Sequence, residues 1–123
     1  MAKQTKSVLT QSGVLLEVIG SSTIKSQAVL ILGLSNLTFE FVNGDRIDIS
    51  LRKVENIRFH QPIFGASYIS ALWVGEGKVS ISFKEGGGAV CFEKLSEYAS
   101  RAIGDSMLST TQIQSDSISK KMQ

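Results

Sequence analysis

Few residues in this chain have the chemistry for catalysis or metal binding, and those few stand apart. His60 is the only histidine and Cys91 the only cysteine among 123 residues. A metal centre would have to join both to carboxylates, and no ligand spacing links them, so no metal and no cofactor is expected. Nucleophilic use of Cys91 needs a base and a group that orients the base. Neither is identifiable, and although a thiol at a helix start can have a lowered pKa, Cys91 beside Phe92 reads more simply as a buried structural thiol. Gly86-Gly87-Gly88 stands before a helical pattern, as phosphate-cradling loops do. The Lys-Ser/Thr pair and the parallel strand-helix-strand setting of such loops are missing, so the glycines read as a strand-to-helix bend. Glu40, Asp45 and Asp48 read as a solvated face. No catalytic residue is assigned, and the chain points to binding and not to an enzyme.

Composition narrows the kind of binding. Thirteen basic residues against eleven acidic ones leave a net charge of +2, and Lys3, Lys6, Lys120 and Lys121 lie in the end segments. Without a clustered basic face, direct nucleic-acid binding is not expected. The hydrophobic fraction of 42% suits one globular domain, and no apolar run approaches the roughly 20 residues that cross a bilayer, so a soluble protein is expected. No apolar stretch follows MAKQTKS and a single cysteine cannot form an internal disulfide, which points to the cytoplasm, with the nucleus as a second location. The expected division is a flexible lead-in over 1–12, one domain over 13–104 and a flexible polar tail over 105–123, where Met107, Leu108, Ile113 and Ile118 could extend a helix against a partner.

The elements that must position any site are mostly strands. His60 to Trp73 holds the only proline and the only tryptophan. Pro62 removes a donor and ends one strand, Gly65 lets the chain turn, and Tyr68 to Val74 alternates as the next strand. Before this corner, 14–19 reads as a first strand, 20–27 as a loop carrying Lys25, and 28–32 as a second strand. Leu37–Val42 and Arg46–Leu51 alternate around Asn43-Gly44, a hairpin with the positive-φ pair of a type I′ turn. Val54–His60 makes a fifth strand, Ser67–Val74 a sixth and Val79–Lys84 a seventh. Seven short strands with close turns call for a closed or nearly closed antiparallel sheet. The period then changes: Phe92, Leu95, Ala99 and Ala102 fall at helical spacing, giving one helix over about 90–103 that stops at Gly104.

Seven antiparallel strands followed by one helix is the order of a pleckstrin-homology-like (PH/GRAM) domain, a mainly β bent barrel whose open end the C-terminal helix plugs. Gln61–Ile69 (QPIFGASYI) and Ser82–Leu95 (SFKEGGGAVCFEKL) sharpen this. Together they resemble the GRAM-type domain of the WW-domain-binding protein 2 family, which carries Q-P-hydrophobic-F-G-A-N-Y-I and then F-x-x-G-G-A-hydrophobic-x-F. Gln61, Pro62, Ile63, Phe64, Gly65, Ala66, Tyr68 and Ile69 match the corner, with Ser67 in place of Asn, and Phe83, Gly87, Gly88, Ala89 and Phe92 match the second block. The resemblance spans about 13–103. It departs in the tight Asn-Gly turn between the third and fourth strands, and in the absence of any proline after Pro62. The P-P-x-Y motifs with which that family binds WW domains are therefore missing, and WW domains are not expected partners.

The resemblance implies a non-catalytic adaptor that binds a protein partner, in signalling or transcriptional co-activation. Gln61, Pro62, Phe64, Gly65 and Tyr68 are the candidate partner surface; the plainer account tucks Phe64 and Tyr68 into the barrel end and packs Trp73. The alternative is a membrane-targeting module for phosphoinositides, using Lys25 in the first loop with Arg46, Arg52 and Lys53 elsewhere on the early sheet. One lysine in that loop is a poor clamp for several phosphates.

Overall fold

The structure, a computed structural model, describes residues 7–111. Seven strands form one antiparallel sheet: β1 (Ser7–Gly20), β2 (Thr23–Gly33), β3 (Asn36–Phe41), β4 (Arg46–Ser50), β5 (Val54–His60), β6 (Ser67–Trp73) and β7 (Gly77–Phe83). A 3-10 turn, Leu51–Lys53, joins β4 to β5, and helix α1 (Gly88–Thr111) follows β7. The strand order is β4-β3-β2-β1-β7-β6-β5, so β1 is central and the sheet curls into a half-barrel without β4 pairing to β5. This is the mainly β, helix-capped architecture of a PH/GRAM-like fold.

Strand β1 begins earlier than its apolar residues suggest. Leu9, Thr10 and Gln11 pair with Leu32, Ile31 and Leu30 of β2, so residues 7–12, taken above as lead-in, belong to the sheet. One extra residue is then inserted between Gln11 and Val14, where Gly13 has φ of +70°. A glycine in that conformation makes a bulge without a Cβ clash. From Val14 onward β1 pairs on both sides, with β2 and with β7. On the other side of the β1–β2 turn, β2 starts at Thr23. The loop expected over 20–27 shrinks to Ser21-Ser22, because the polar segment Thr23–Gln27 continues the ladder opposite Ile19–Leu15.

The β3–β4 hairpin lies where the alternation places it, with Leu37 opposite Ile49 and Phe39 opposite Ile47. Its turn is not the expected type I′ pair. Gly44 alone takes positive φ, at +94°, its amide donates to the Phe41 carbonyl at 3.0 Å, and the Phe41 amide donates to Asp45 at 2.9 Å. Val42-Asn43-Gly44 is thus a three-residue loop that ends in a glycine bulge. Leu51 leaves the strand for the 3-10 turn, which Ser50 caps by accepting from the Arg52 amide.

The inner face buries Val14, Leu16, Leu30, Leu32, Phe39, Ile49, Ile69 and Ile81. Helix α1 closes this core at one end, resting on the 3-10 turn and β5 and presenting Cys91, Leu95 and Ala99 at four-residue spacing, all buried. Phe92 and Ala102 lie half-buried at its margin, as does Trp73. Gly86 and Gly87 both have positive φ and Gly88 lies against Phe59 and Phe83, so the glycine run is the strand-to-helix bend. The helix does not stop at Gly104 but continues to Thr111, which makes 105–111 helical backbone instead of tail. Lys3, Lys6, Ile113, Ile118, Lys120 and Lys121 lie outside the described residues.

Two measurements check this packing. Leu95→Ala removes a side chain that is 1% exposed, and the expected loss is about 2–5 kcal/mol in urea unfolding, with an unchanged m-value. Burial pushes the Cys91 thiol up to about 12, so little thiolate forms below pH 9. In the native protein at pH 8, Cys91 is expected to resist iodoacetamide and to react only on unfolding, as followed by mass spectrometry.

Candidate partner-binding corner

The ends of β5 and β6 build the corner. His60 pairs with Tyr68, their rings stack at 4.4 Å with 10° between planes, and the His60 Nε2 lies 2.8 Å from the Ser70 Oγ. On the far side of β6, Ser67 pairs with Phe83, beside the bend into α1. The base of the corner is therefore fixed by a ladder, a ring stack and a side-chain hydrogen bond. Between His60 and Ser67 the chain leaves the sheet, and Gly65 has φ of +101°.

The tip of this turn carries exposed apolar surface. Ile63 is 92% and Phe64 89% exposed, and Gln61, Pro62 and Gly65 are exposed beside them. This corrects the plainer sequence account, in which Phe64 tucks into the barrel end. Gln61 to Gly65 lie beyond the last rung of the ladder, His60 with Tyr68, and are all exposed. Tyr68 is the half-buried member and supports the corner from within the sheet.

The four cations assigned to a headgroup site are not brought together. Lys25 lies in β2 opposite Glu17, not in a loop. Arg46 is four residues away along the sheet in register, about 13 Å at strand rise, and its guanidinium lies 4.0 Å from Glu40 and 3.4 Å from Asp48. Thr38, which is buried, donates to Asp48, and that hydrogen bond with the neighbouring Arg46 holds the carboxyl below its ordinary value. Arg52 and Lys53 lie at the opposite end of β4 from Arg46, in the 3-10 turn, where the Lys53 carbonyl accepts from the Val74 amide at 2.8 Å.

Open hollows mark the surface of the described residues. One, of about 660 Å³, lies at the uncapped end near Ile24, Phe41 and Arg46; another, of about 620 Å³, runs over the outer face past Glu17, Arg58 and Lys78. The third, of about 430 Å³, separates α1 from the turn after β2, and its Tyr98 and Arg101 belong to no motif by which the sequence alone singles them out. Among the described residues no set of three His, Cys, Asp or Glu side chains is placed to hold a metal ion, and no helix is long and apolar enough to cross a membrane.

No protein-family profile matches the chain, and no characterised protein matches it by sequence. Among solved structures, the C-terminal domain of an unknown protein from Leishmania infantum is similar, with a TM-score of 0.59 at 12% identity over 77% of this chain and 84% of that one. At that identity the likeness is one of fold.

Proposed function

We propose that this chain is a non-catalytic PH/GRAM-like binding module that docks a protein partner at the Gln61–Tyr68 corner. The observation that carries this reading is the adjacent pair Ile63 and Phe64, 92% and 89% exposed on a turn whose base is held by the His60–Tyr68 stack. Burying an Ile or Phe side chain contributes about 1.5–3 kcal/mol each, so an apolar pocket that accepts both gains roughly two to four orders of magnitude in affinity. A turn held by the sheet also loses little freedom on binding, which favours such anchors. The WW-domain-binding protein 2 family resemblance rests on the same residues and supports an adaptor role in signalling or transcriptional co-activation, in the cytoplasm or nucleus, through a contact other than a P-P-x-Y motif.

The phosphoinositide alternative is the weaker reading because its cations are scattered and Arg46 already faces two carboxylates. A clamp for several phosphates needs several donors converging on one place.

The test compares the full chain with the double variant Ile63→Ser/Phe64→Ser in affinity capture from cell extract, followed by titration of the captured protein. The variant is expected to keep its melting temperature, since both side chains are exposed, and to lose about 100-fold or more in affinity. Equal capture by both forms would contradict the corner as the docking point.

A further inference from the structure

The strand order leaves two edges of the sheet open, β4 and β5, and they are not alike. β5 carries a bulge between Glu55 and Arg58, with Asn56 at φ of +53°, and α1 rests against it. Bulges and covering helices keep an edge from pairing. β4 runs from Arg46 to Ser50 without a register shift, a glycine or a proline, and among the described residues no strand pairs with its outer side. We propose that β4 is a self-association edge, on which β4 of a second copy of this chain pairs antiparallel about a two-fold axis through Ile47.

The hydrogen bonds to β3 decide which groups the edge offers. At one end of that ladder the Phe41 amide donates to the Asp45 carbonyl at 2.9 Å, and at the other the Leu51 amide donates to the Ser35 carbonyl at 2.9 Å. Bonded and non-bonded pairs alternate in an antiparallel ladder, so Leu37–Ile49 and Phe39–Ile47 are the bonded pairs between these ends. The amides and carbonyls of Arg46, Asp48 and Ser50 therefore point away from β3. None of them has another main-chain partner among the described residues.

Charge selects both the occupant and its register. An axis through Asp48 would set two Asp48 carboxylates opposite each other, and an axis through Ile49 would set Arg46 against Arg52 and drive the partner into the 3-10 turn. Like charges directly opposite are unfavourable. An axis through Ile47 instead places Arg46 of each copy opposite Asp48 of the other, in the positions where the free amides and carbonyls exchange their bonds. Thr38 already donates to Asp48 and orients its carboxylate, and the pairs that Arg46 makes within the chain, 4.0 Å to Glu40 and 3.4 Å to Asp48, are exposed and easily rearranged.

Apolar surface adds to this. Ile47 is half-buried and lines the hollow at the uncapped end with Ile24 and Phe41, and Ile24 is exposed beside it. On the axis, each Ile47 meets the other at the close spacing of a non-bonded pair and covers the partner's open edge. Five residues make a short edge, which fits a reversible contact below the size of a standard interface, about 1,200–2,000 Å². The edge is separate from the docking corner, and neither reading depends on the other.

The experiment is sedimentation velocity of the full chain from about 10 μM to about 1 mM, the range in which small transient contacts dissociate. The mass is expected to rise with concentration from 13.3 kDa toward twice that value. Arg46→Asp sets carboxylates opposite each other in both cross-strand pairs and is expected to weaken association about tenfold or more. Arg46→Asp/Asp48→Arg restores opposite charges and is expected to recover most of that loss, with melting temperatures showing that each variant is folded. Register is read separately by cross-linking. Ile47→Cys places two thiols across the axis with Cα atoms about 4.5 Å apart, within the reach of a disulfide, and is expected to form a covalent dimer on mild oxidation faster than Asp48→Cys or Val42→Cys; Cys91 is buried and takes no part. A chain that stays at monomer mass throughout, including one whose β4 takes up only an extended segment of another protein, would overturn the proposal. So would an Arg46→Asp protein that associates as tightly as the parent, or an Asp48→Cys protein that cross-links faster than Ile47→Cys.

Discussion

The domain depends on the backbone of β1. From Val14 to Ile19 its residues pair with β2 on one edge and with β7 on the other, so this one segment joins β2-β3-β4 to β7-β6-β5. Each buried amide or carbonyl left without a partner there would cost about 1–3 kcal/mol, far more than any single exposed ion pair in the structure returns. The double pairing fixes the register of both halves, and the side chains of Val14, Leu16 and Val18 then all face inward. Because β4 and β5 never meet, the curled sheet leaves its apolar interior open at that seam, and α1 lies there against the 3-10 turn and β5.

What could be read in the sequence is what apolar alternation encodes. The β3–β4 hairpin, the corner at Pro62, the seven-strand count and the helical spacing that includes Leu95 and Ala99 are all of that kind, because each buries a regular set of side chains. The segments that escaped such reading are held by backbone pairing instead. Residues 23–27 are exposed, yet they extend β2 through main-chain hydrogen bonds, to which residue type is nearly indifferent, and residues 7–12 extend β1 through the same ladder with Val8 and Leu9 packed against the core. Gly104 reads as a helix stop, but a single glycine costs about 1 kcal/mol in a helix interior, and the helix runs through it.

The corner and the hollow beside α1 were legible to different degrees for the same reason. The corner is contiguous in sequence, so its residues could be named, but the exposure of Phe64 follows from where the β5–β6 ladder ends and not from residue type. The hollow is assembled from 34–36, 50–52 and 98–102, segments that only the closure of α1 over the sheet brings together. Tyr98 to Ala102 lie about 15–20 Å along the helix from the bend at Gly88, near its middle.

If β1 and α1 belong to one cooperative unit, they must open together. Native-state hydrogen exchange under increasing denaturant tests this by following the amides of Leu16 and Val18 in β1 against those of Leu95 and Ala99 in α1. All four are expected to converge on the same opening free energy, equal to that of global unfolding. Exchange of the helix amides through a lower-energy opening while β1 stays protected would show that the sheet stands without its helix, and would contradict this account of how the core is sealed.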